Sequence, residues 1–162
     1  MDQISEQGEL LPGGGARPDQ RILRMSPDSK SASSVEAVLR QRIQGLAEAI
    51  RDKDVDRVMT FYAPDVVVFD VRPPLDTRGA AAYRHNFERW FNSFDGPLSF
   101  ELQGLRVVAA ESAAFCHYLS LIVGSRPDGR TSGYWARGTT CFARREGEWL
   151  VTHEHISMPT AT

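Results

Sequence analysis

The sequence predicts an α+β fold, with three helices in the first part of the chain packed on a curved, mainly antiparallel sheet. Apolar residues recur at helical spacing in the first half, whereas they alternate in the second half as they do in strands. The last two predicted strands are long and are joined by the short turn Glu146-Gly147, which is typical of a β-hairpin. Helices followed by a run of neighbouring strands indicate helices packed on one face of a single sheet.

The composition is that of one ordinary globular domain. The 162 residues are 41% hydrophobic and 25% charged, and the formal net charge of -2 leaves no basic excess for nucleic acid or an anionic membrane. No apolar run reaches the roughly 18 residues of a membrane span. Only Cys116 and Cys141 carry thiols, and the first residues do not form a secretion signal. We therefore expect a cytoplasmic protein without nucleic-acid or membrane partners.

Residues 1–34 differ from the rest because they are rich in glycine, proline and serine and poor in large apolar side chains. Such a segment cannot bury enough surface to offset the entropy of ordering it, so we expect a disordered tail. Met25 is an alternative start under this interpretation. The folded domain is predicted to cover residues 35–159.

Three helices are predicted. The first begins at a capping-box pattern, Ser33 with Glu36, and the second is capped by Asp54 and extends to Tyr62. The third begins at Gly79 and carries a mainly aromatic stripe, formed by Ala80, Tyr83, Phe87, Trp90, Phe91 and Phe94.

One early strand and a four-stranded meander complete the predicted fold. After a turn at residues 63–65, residues 66–71 form the early strand, and the meander begins near Leu98. The alternation of apolar residues shifts by one position at Gln103-Gly104, which indicates a β-bulge that bends the sheet.

The final hairpin has two distinct faces, because alternate residues of a strand point to opposite sides. One face carries Tyr134, Ala136, Gly138, Thr140, Phe142, Thr152, Glu154 and Ile156. The other carries Trp135, Arg137, Thr139, Cys141, Trp149, Val151, His153, His155 and Ser157. Both faces are mainly apolar, so we expect the hairpin to be covered on both sides.

Asp70 is the sharpest candidate for chemistry, because it follows four apolar residues of a predicted buried strand. A carboxylate at an apolar site has a raised pKa and can move protons near neutral pH. The alternative is structural: Asp70 would cap a turn or pair with Arg72 or Arg78. Glu154 lies in a strand between two histidines, and taken alone it favours a salt bridge or a solvated edge.

His153 and His155 share one strand face at a spacing that can bind zinc, with His117 as the only histidine that fits as a third ligand. Hydrogen-bonded histidines are commoner than three-ligand sites, so we expect no metal site. The tyrosines Tyr62, Tyr83, Tyr118 and Tyr134 either belong to the core or donate hydrogen bonds to a ligand.

Three stretches resemble the nuclear transport factor 2-like superfamily: Phe61–Asp70, Arg78-Gly79 with the aromatic helix, and Trp149–Ser157. The resemblance spans residues 35–159 and is strongest to SnoaL-like proteins. It implies the cone-shaped fold of ketosteroid isomerase, polyketide cyclases, scytalone dehydratase and the association domain of calcium/calmodulin-dependent kinase II.

Asp70 falls where ketosteroid isomerase has its general base, but the oxyanion-binding Tyr and Asp of that enzyme fall near Leu46 and Gly138. Steroid isomerisation is therefore not expected. Two pocket arginines of the association domain fall at Ser120 and Thr140, so its anion-binding role does not transfer either.

The resemblance implies an internal pocket for a mainly apolar small molecule, and no cofactor. The implied catalytic residues are Asp70, Glu154, Tyr83 and Tyr118. The implied ligand contacts are Tyr62, Trp90, Ser120, Tyr134, Thr140, Thr152 and Ile156. The opposite sheet face is expected to form a homodimer through His117, Trp135, Arg137, His153 and His155.

Two functions remain open from the sequence. The first is a cofactor-free isomerase, dehydratase or cyclase that acts on a carbonyl compound with Asp70 as acid or base. The alternative is a non-catalytic, dimerising module for ligand binding or assembly, in which Asp70 is paired and inert.

Overall fold

A computed structural model describes residues 29–159, with side chains from residue 34 onward, as three helices and a six-stranded sheet. The helices are α1 (Ser29–Arg51), α2 (Val55–Met59) and α3 (Ala80–Phe91). The strands are β1 (Tyr62–Phe69), β2 (Thr77–Arg78), β3 (Asp95–Ala109), β4 (Ala113–Ser125), β5 (Thr131–Arg145) and β6 (Glu148–Ser157). The predicted α+β class is confirmed.

The sheet has the strand order β2-β1-β6-β5-β4-β3. Strands β3 to β6 are consecutive antiparallel neighbours, which confirms the predicted meander, and β1 runs parallel to β6. The β5–β6 turn has positive φ at both central residues, 53° at Glu146 and 89° at Gly147. This geometry matches the twist of the flanking strands and explains the glycine.

Register irregularities interrupt the long strands, and two of them bear on the predicted fold. The predicted bulge in β3 is confirmed by a register shift between Gln103 and Arg106, where Gly104 has a φ of 64°. A second bulge was not predicted: Cys141 pairs with His153 but Phe142 pairs with Val151, which leaves Thr152 as the extra residue.

The second bulge corrects the predicted faces of the hairpin. Trp149 and Val151 turn to the helix side and are buried, whereas the sequence placed them on the opposite face. Beyond the bulge the predicted alternation holds, so Glu154 faces the helices and His153 and His155 face away. Among residues 29–159 only the helix side of the hairpin is covered, because the opposite face keeps several exposed apolar side chains.

The core lies between α1, α3 and the concave face of the sheet. Apolar residues at helical spacing in α1 point inward, and α3 adds three aromatic rings; the buried members are Leu39, Ile43, Leu46, Ile50, Tyr83, Phe87 and Phe91. This arrangement leaves the middle of the sheet facing an enclosed space rather than a solid core. No helix of the described residues is long and apolar enough to cross a bilayer.

Several predicted boundaries need correction. Helix α1 is already helical at Ser29, so Ser33 lies inside it, and the rest of the predicted tail (residues 1–28, with Met25) lies outside the described residues. Asp54 caps α2 as predicted, since its carboxylate accepts the Arg57 N–H at 2.9 Å. However, α2 ends at Met59, and Tyr62 begins β1, which includes residues 63–65 that were predicted as a turn. The short strand β2 was not predicted.

Candidate functional site

A cavity of about 360 Å³ lies between the helices and the concave face of the sheet. This volume is at the lower end of the range typical of small-molecule sites. Helix α1 supplies an apolar wall and α3 supplies aromatic side chains. The sheet supplies a row of polar ones, formed by Tyr62, Tyr118, Ser120, Tyr134 and Glu154.

Glu154 is a buried carboxyl group in the wall of this cavity, and its residue is 3% exposed. Its Oε2 accepts hydrogen bonds of 2.9 Å from the hydroxyls of Tyr62 and Tyr83. Its Oε1 accepts one of 3.0 Å from Thr140. In the described part of the chain no cation lies within ion-pair distance of Glu154, so the sequence-based interpretation as a salt bridge or solvated edge is wrong.

Burial raises the pKa of Glu154, while the hydrogen bonds from Tyr62, Tyr83 and Thr140 act in the opposite direction. Burial next to this carboxyl also raises the pKa of both tyrosines well above their usual value. The tyrosines therefore stay protonated at neutral pH and act as hydrogen-bond donors. The groups that lower the pKa of Glu154 are thus neutral hydrogen-bond donors and not a cation.

Tyr118 is the least constrained hydroxyl of this cluster. Its oxygen lies 3.3 Å from Thr140 Oγ1 and 3.5 Å from Glu154 Oε1, both long for hydrogen bonds. The ring occupies space left by a glycine, since a Cβ at Gly138 would lie 2.6 Å from it. Tyr118 can thus turn its hydroxyl toward a ligand oxygen at little cost.

Two further hydroxyls face the cavity with unused capacity. Ser120 is 3% exposed, lines the cavity, and its hydroxyl has no hydrogen-bond partner among residues 34–159. Tyr134 accepts a 3.0 Å hydrogen bond from Trp90 Nε1, which leaves its own O–H free to donate. A hydroxyl that faces a cavity with unused bonding capacity marks a position where a ligand or a water completes the bonding.

Asp70 also lines the cavity, directly after β1 rather than inside it, and is half-buried. One carboxylate oxygen accepts the Val71 N–H at 2.6 Å. Burial raises the pKa of Asp70, opposed by that hydrogen bond and by the charges of Arg72 and Arg89. No ion pair joins Asp70 to a described residue, and Arg78 instead pairs with Asp76 at 2.7 Å.

Most residues predicted for the pocket do line it. These are Asp70, Glu154, Tyr83, Tyr118, Tyr62, Trp90, Ser120, Tyr134 and Ile156. Thr140 lies behind Glu154, and Thr152 is diverted by its bulge, where its hydroxyl lies 3.5 Å from the Cys141 carbonyl oxygen.

Two groups of lining residues were missed from the sequence. The α1 stripe of Ile43, Leu46 and Ile50 was identified as apolar but not assigned to a pocket. The other group contains Arg72, Asn86 and Arg89, and nothing in the sequence pattern places these side chains at a cavity.

The predicted outer-face histidines make no metal cluster. His153 Nδ1 lies 2.8 Å from the Val67 carbonyl oxygen, and its ring packs edge-on against Phe69. Within residues 29–159 no three or more His, Cys, Asp or Glu side chains are grouped as metal ligands.

Comparison with known proteins gives a family match and similar solved structures. The SnoaL-like domain family matches residues 39–161. An NTF2-like protein of unknown function from Pseudomonas putida is 33% identical, with a TM-score of 0.72 over 80% of this chain and 89% of that one. No match is found among curated proteins.

Two more distant structures share the cone-shaped fold. A candidate dehydratase of the NTF2-like family from Streptomyces avermitilis is 15% identical, with a TM-score of 0.71 over 80% of this chain and 99% of that one. The association domain of the Caenorhabditis elegans calcium/calmodulin-dependent kinase II is 19% identical, with a TM-score of 0.64 over 80% of this chain and 99% of that one. The family match and the Pseudomonas protein together establish that this chain belongs to the SnoaL-like family of the NTF2-like superfamily.

Proposed function

We propose that the protein is a cofactor-free acid–base enzyme that isomerises, dehydrates or cyclises a small carbonyl compound. One observation carries the proposal: two carboxyl groups with raised pKa values, Asp70 and Glu154, line one mainly apolar cavity beside hydroxyl donors. Such groups exchange protons near neutral pH, which is what chemistry next to a carbonyl requires. Similarity in fold to a candidate dehydratase agrees with this reaction class.

Asp70 takes the role of base in this mechanism. Its carboxylate removes a proton from the carbon next to the carbonyl, and the C–H electron pair forms a C=C bond as the carbonyl oxygen becomes an enolate. Tyr118 and Ser120 donate to that oxygen, because their hydroxyls are the least committed in the cavity. Return of the proton from Asp70 to another carbon gives isomerisation. Dehydration follows when that proton passes to a β-hydroxyl, which leaves as water with the electrons of its C–O bond as the enolate re-forms the carbonyl and a C=C bond.

Glu154 takes a supporting role. Its raised pKa favours the protonated form more than in water, and in that form it donates a proton or a hydrogen bond to the developing oxyanion. Tyr62 and Tyr83 hold the carboxyl in one orientation from β1 and α3. The site therefore separates a base at Asp70 from an acid at Glu154.

Deuterium exchange tests the proposal without knowledge of the natural substrate. β-Tetralone in D₂O exchanges its α-protons when a base removes them, and proton NMR follows the loss of signal. We expect Asp70→Asn to slow the enzyme-catalysed exchange by about a hundredfold or more. The rate should rise with pH through the raised pKa of Asp70, because only the ionised carboxylate accepts a proton.

Glu111→Gln is the matched control, since it removes an exposed carboxylate outside the cavity. Its exchange rate should equal that of the wild type. Exchange by Asp70→Asn as fast as by the wild type would remove Asp70 as the base. Absence of exchange above the buffer rate in the wild type would favour the non-catalytic alternative.

A homodimer through the outer sheet face is the second part of the proposal. Phe69, Phe115, Leu119 and Trp135 each leave 39–46% of their surface exposed on this face, next to His117, Arg137, His153 and His155. An apolar patch rimmed by polar residues is typical of a protein–protein interface. A dimer suits both the enzyme and the alternative, a ligand-binding or assembly module like the kinase association domain.

Free thiols at Cys116 and Cys141 agree with a place in the reducing cytoplasm.

Sedimentation measures this association directly. We expect a two-chain mass for the wild type and weakened association for Leu119→Glu, which sets a charge in the middle of the patch. Ser99→Glu, on the same sheet in β3 but outside the apolar patch, is the control. A wild type that stays monomeric at about 100 µM would exclude a dimer of ordinary affinity.

A further inference from the structure

We propose that the ligand of this cavity carries a carboxylate, which Arg72 and Arg89 bind at the opening while its ring system enters the cavity. The inference rests on the proposed function, since it names the substrate class of the same site. It assigns a specificity role to two arginines that take no part in the proton transfers described above.

Charged residues divide the cavity into a deep end and an opening. Within residues 34–159 the cavity is lined by four of them: Asp70, Arg72, Arg89 and Glu154. Glu154 is buried, Asp70 is half-buried, and both arginines are exposed. Residues that line a cavity and also meet solvent lie at its opening, so we place Arg72 and Arg89 there, where their charges act on Asp70.

These two arginines differ from most others in the described chain, which pair with a nearby carboxylate, as in Arg57–Glu48, Arg130–Asp128 and Arg145–Asp65. Arg72 makes no ion pair or side-chain hydrogen bond with any residue from 34 to 159. Arg89 bonds only to the neutral Asn86 Oδ1, at 2.5 Å.

Asp70 does not neutralise the pair, because it has no ion-pair contact and both arginines act on it only from a distance. Two cations and one anion leave the opening with one net positive charge. A single carboxylate on the ligand matches this charge, and the planar guanidinium group is suited to hold it with two parallel hydrogen bonds.

The rest of the cavity fixes the position of that carboxylate on the ligand. Apolar and aromatic side chains form most of the wall, and the hydroxyls of Tyr118 and Ser120 lie with Glu154 among its buried residues. A complementary ligand has an oxygen at one end, a ring body and a carboxylate at the other end. The inferred class is therefore a cyclic keto acid rather than a neutral ketone.

Calorimetry with two probes of equal shape tests the inference: a β-tetralone carboxylate with the ketone and the acid at opposite ends, and its carboxamide. We expect the wild type to bind the acid roughly tenfold more tightly than the amide. Arg72→Gln and Arg89→Gln should each weaken binding of the acid about fivefold and leave binding of the amide unchanged. Added salt should weaken binding of the acid and leave binding of the amide unchanged, because the arginines are exposed.

Arg144→Gln is the control, since it removes an exposed arginine outside the cavity and should preserve both affinities. Equal binding of acid and amide, or no binding of the acid at about 1 mM, would overturn the inference. Exchange of neutral β-tetralone that depends on Asp70 would leave the proposed function standing in that case. Conversely, arginine-dependent binding of the acid without exchange would keep the inference and remove the catalytic proposal.

Discussion

The hydroxyl of Tyr62 donates a 2.9 Å hydrogen bond to Glu154 Oε2 across a separation of 92 residues in the sequence. Tyr83 donates to the same oxygen from α3. The first residue of β1, the third helix and the last strand thus meet at one buried carboxyl. Glu154 links three elements of the fold, so changes at this residue affect both stability and chemistry.

The unfolding free energy of Glu154→Gln should increase relative to that of the wild type as the pH rises. Burial raises the folded-state pKa of Glu154 above its ordinary 4.5. The stability that the protonated carboxyl contributes is therefore fully present below about pH 4.5 and is lost as the pH rises through the folded-state pKa. Glutamine keeps an acceptor for the tyrosines and never ionises. Urea unfolding at about pH 5 and about pH 8 should show that the variant gains stability relative to the wild type over this interval.

A pH-independent difference between Glu154→Gln and the wild type would contradict the raised pKa. The control is Glu111→Gln, because the exposed carboxylate of Glu111 makes no ion pair or side-chain hydrogen bond with residues 34–159. Its stability should follow that of the wild type at both pH values.

Tyr62→Phe and Tyr118→Phe should separate stability from ligand binding. Tyr62 makes a 2.9 Å hydrogen bond to Glu154, so its loss should cost about 1–2 kcal/mol of unfolding free energy at neutral pH. Tyr118 lies 3.5 Å from the same carboxyl, so its loss should cost about 0.5 kcal/mol or less. Affinity for β-tetralone should fall more in Tyr118→Phe, and the reverse order in both assays would refute the assignment.

The regular alternation of buried and exposed residues along the strands made much of this site predictable from the sequence. In β4 and β5 every second residue is buried over long stretches, so Tyr118, Ser120 and Tyr134 could be placed on the helix side by parity alone. The same reasoning failed before the bulge at Thr152, because a threonine fits a regular strand and gives no sign of an extra residue. Trp149 was therefore placed on the wrong face.

Electrostatic partners were not predictable in the same way. The sequence contains many cations that could pair with Glu154, and only the packing of Tyr62 and Tyr83 around it shows that neutral donors do so instead. Arg72 lies outside the regular helices and strands, where no periodicity indicates direction. Its place at the cavity depends on tertiary structure.

Gly138→Ala should disturb the site through Tyr118. The added Cβ would lie 2.6 Å from the tyrosine ring, so the ring or the strand has to move, at roughly 1–3 kcal/mol of stability. Affinity for β-tetralone should fall as well, because the Tyr118 hydroxyl is displaced. Gly133→Ala on the same strand is the control, since its nearest neighbour is a Val123 methyl at 3.5 Å. Equal costs for the two variants would mean that Gly138 has no role in placing Tyr118.

The two thiols should react at very different rates with Ellman's reagent. Cys116 is fully buried, and burial raises its pKa to about 12, so little reactive thiolate forms at neutral pH. Cys141 is partly exposed on the outer sheet face, so it should account for the fast-reacting thiol of the native protein. In urea both should react.

If the outer face forms the dimer, labelling of Cys141 should slow as the protein concentration rises, while Leu119→Glu should abolish that dependence. Two fast thiols in the native protein would contradict the burial of Cys116, and a rate independent of concentration in a dimeric wild type would place the interface elsewhere.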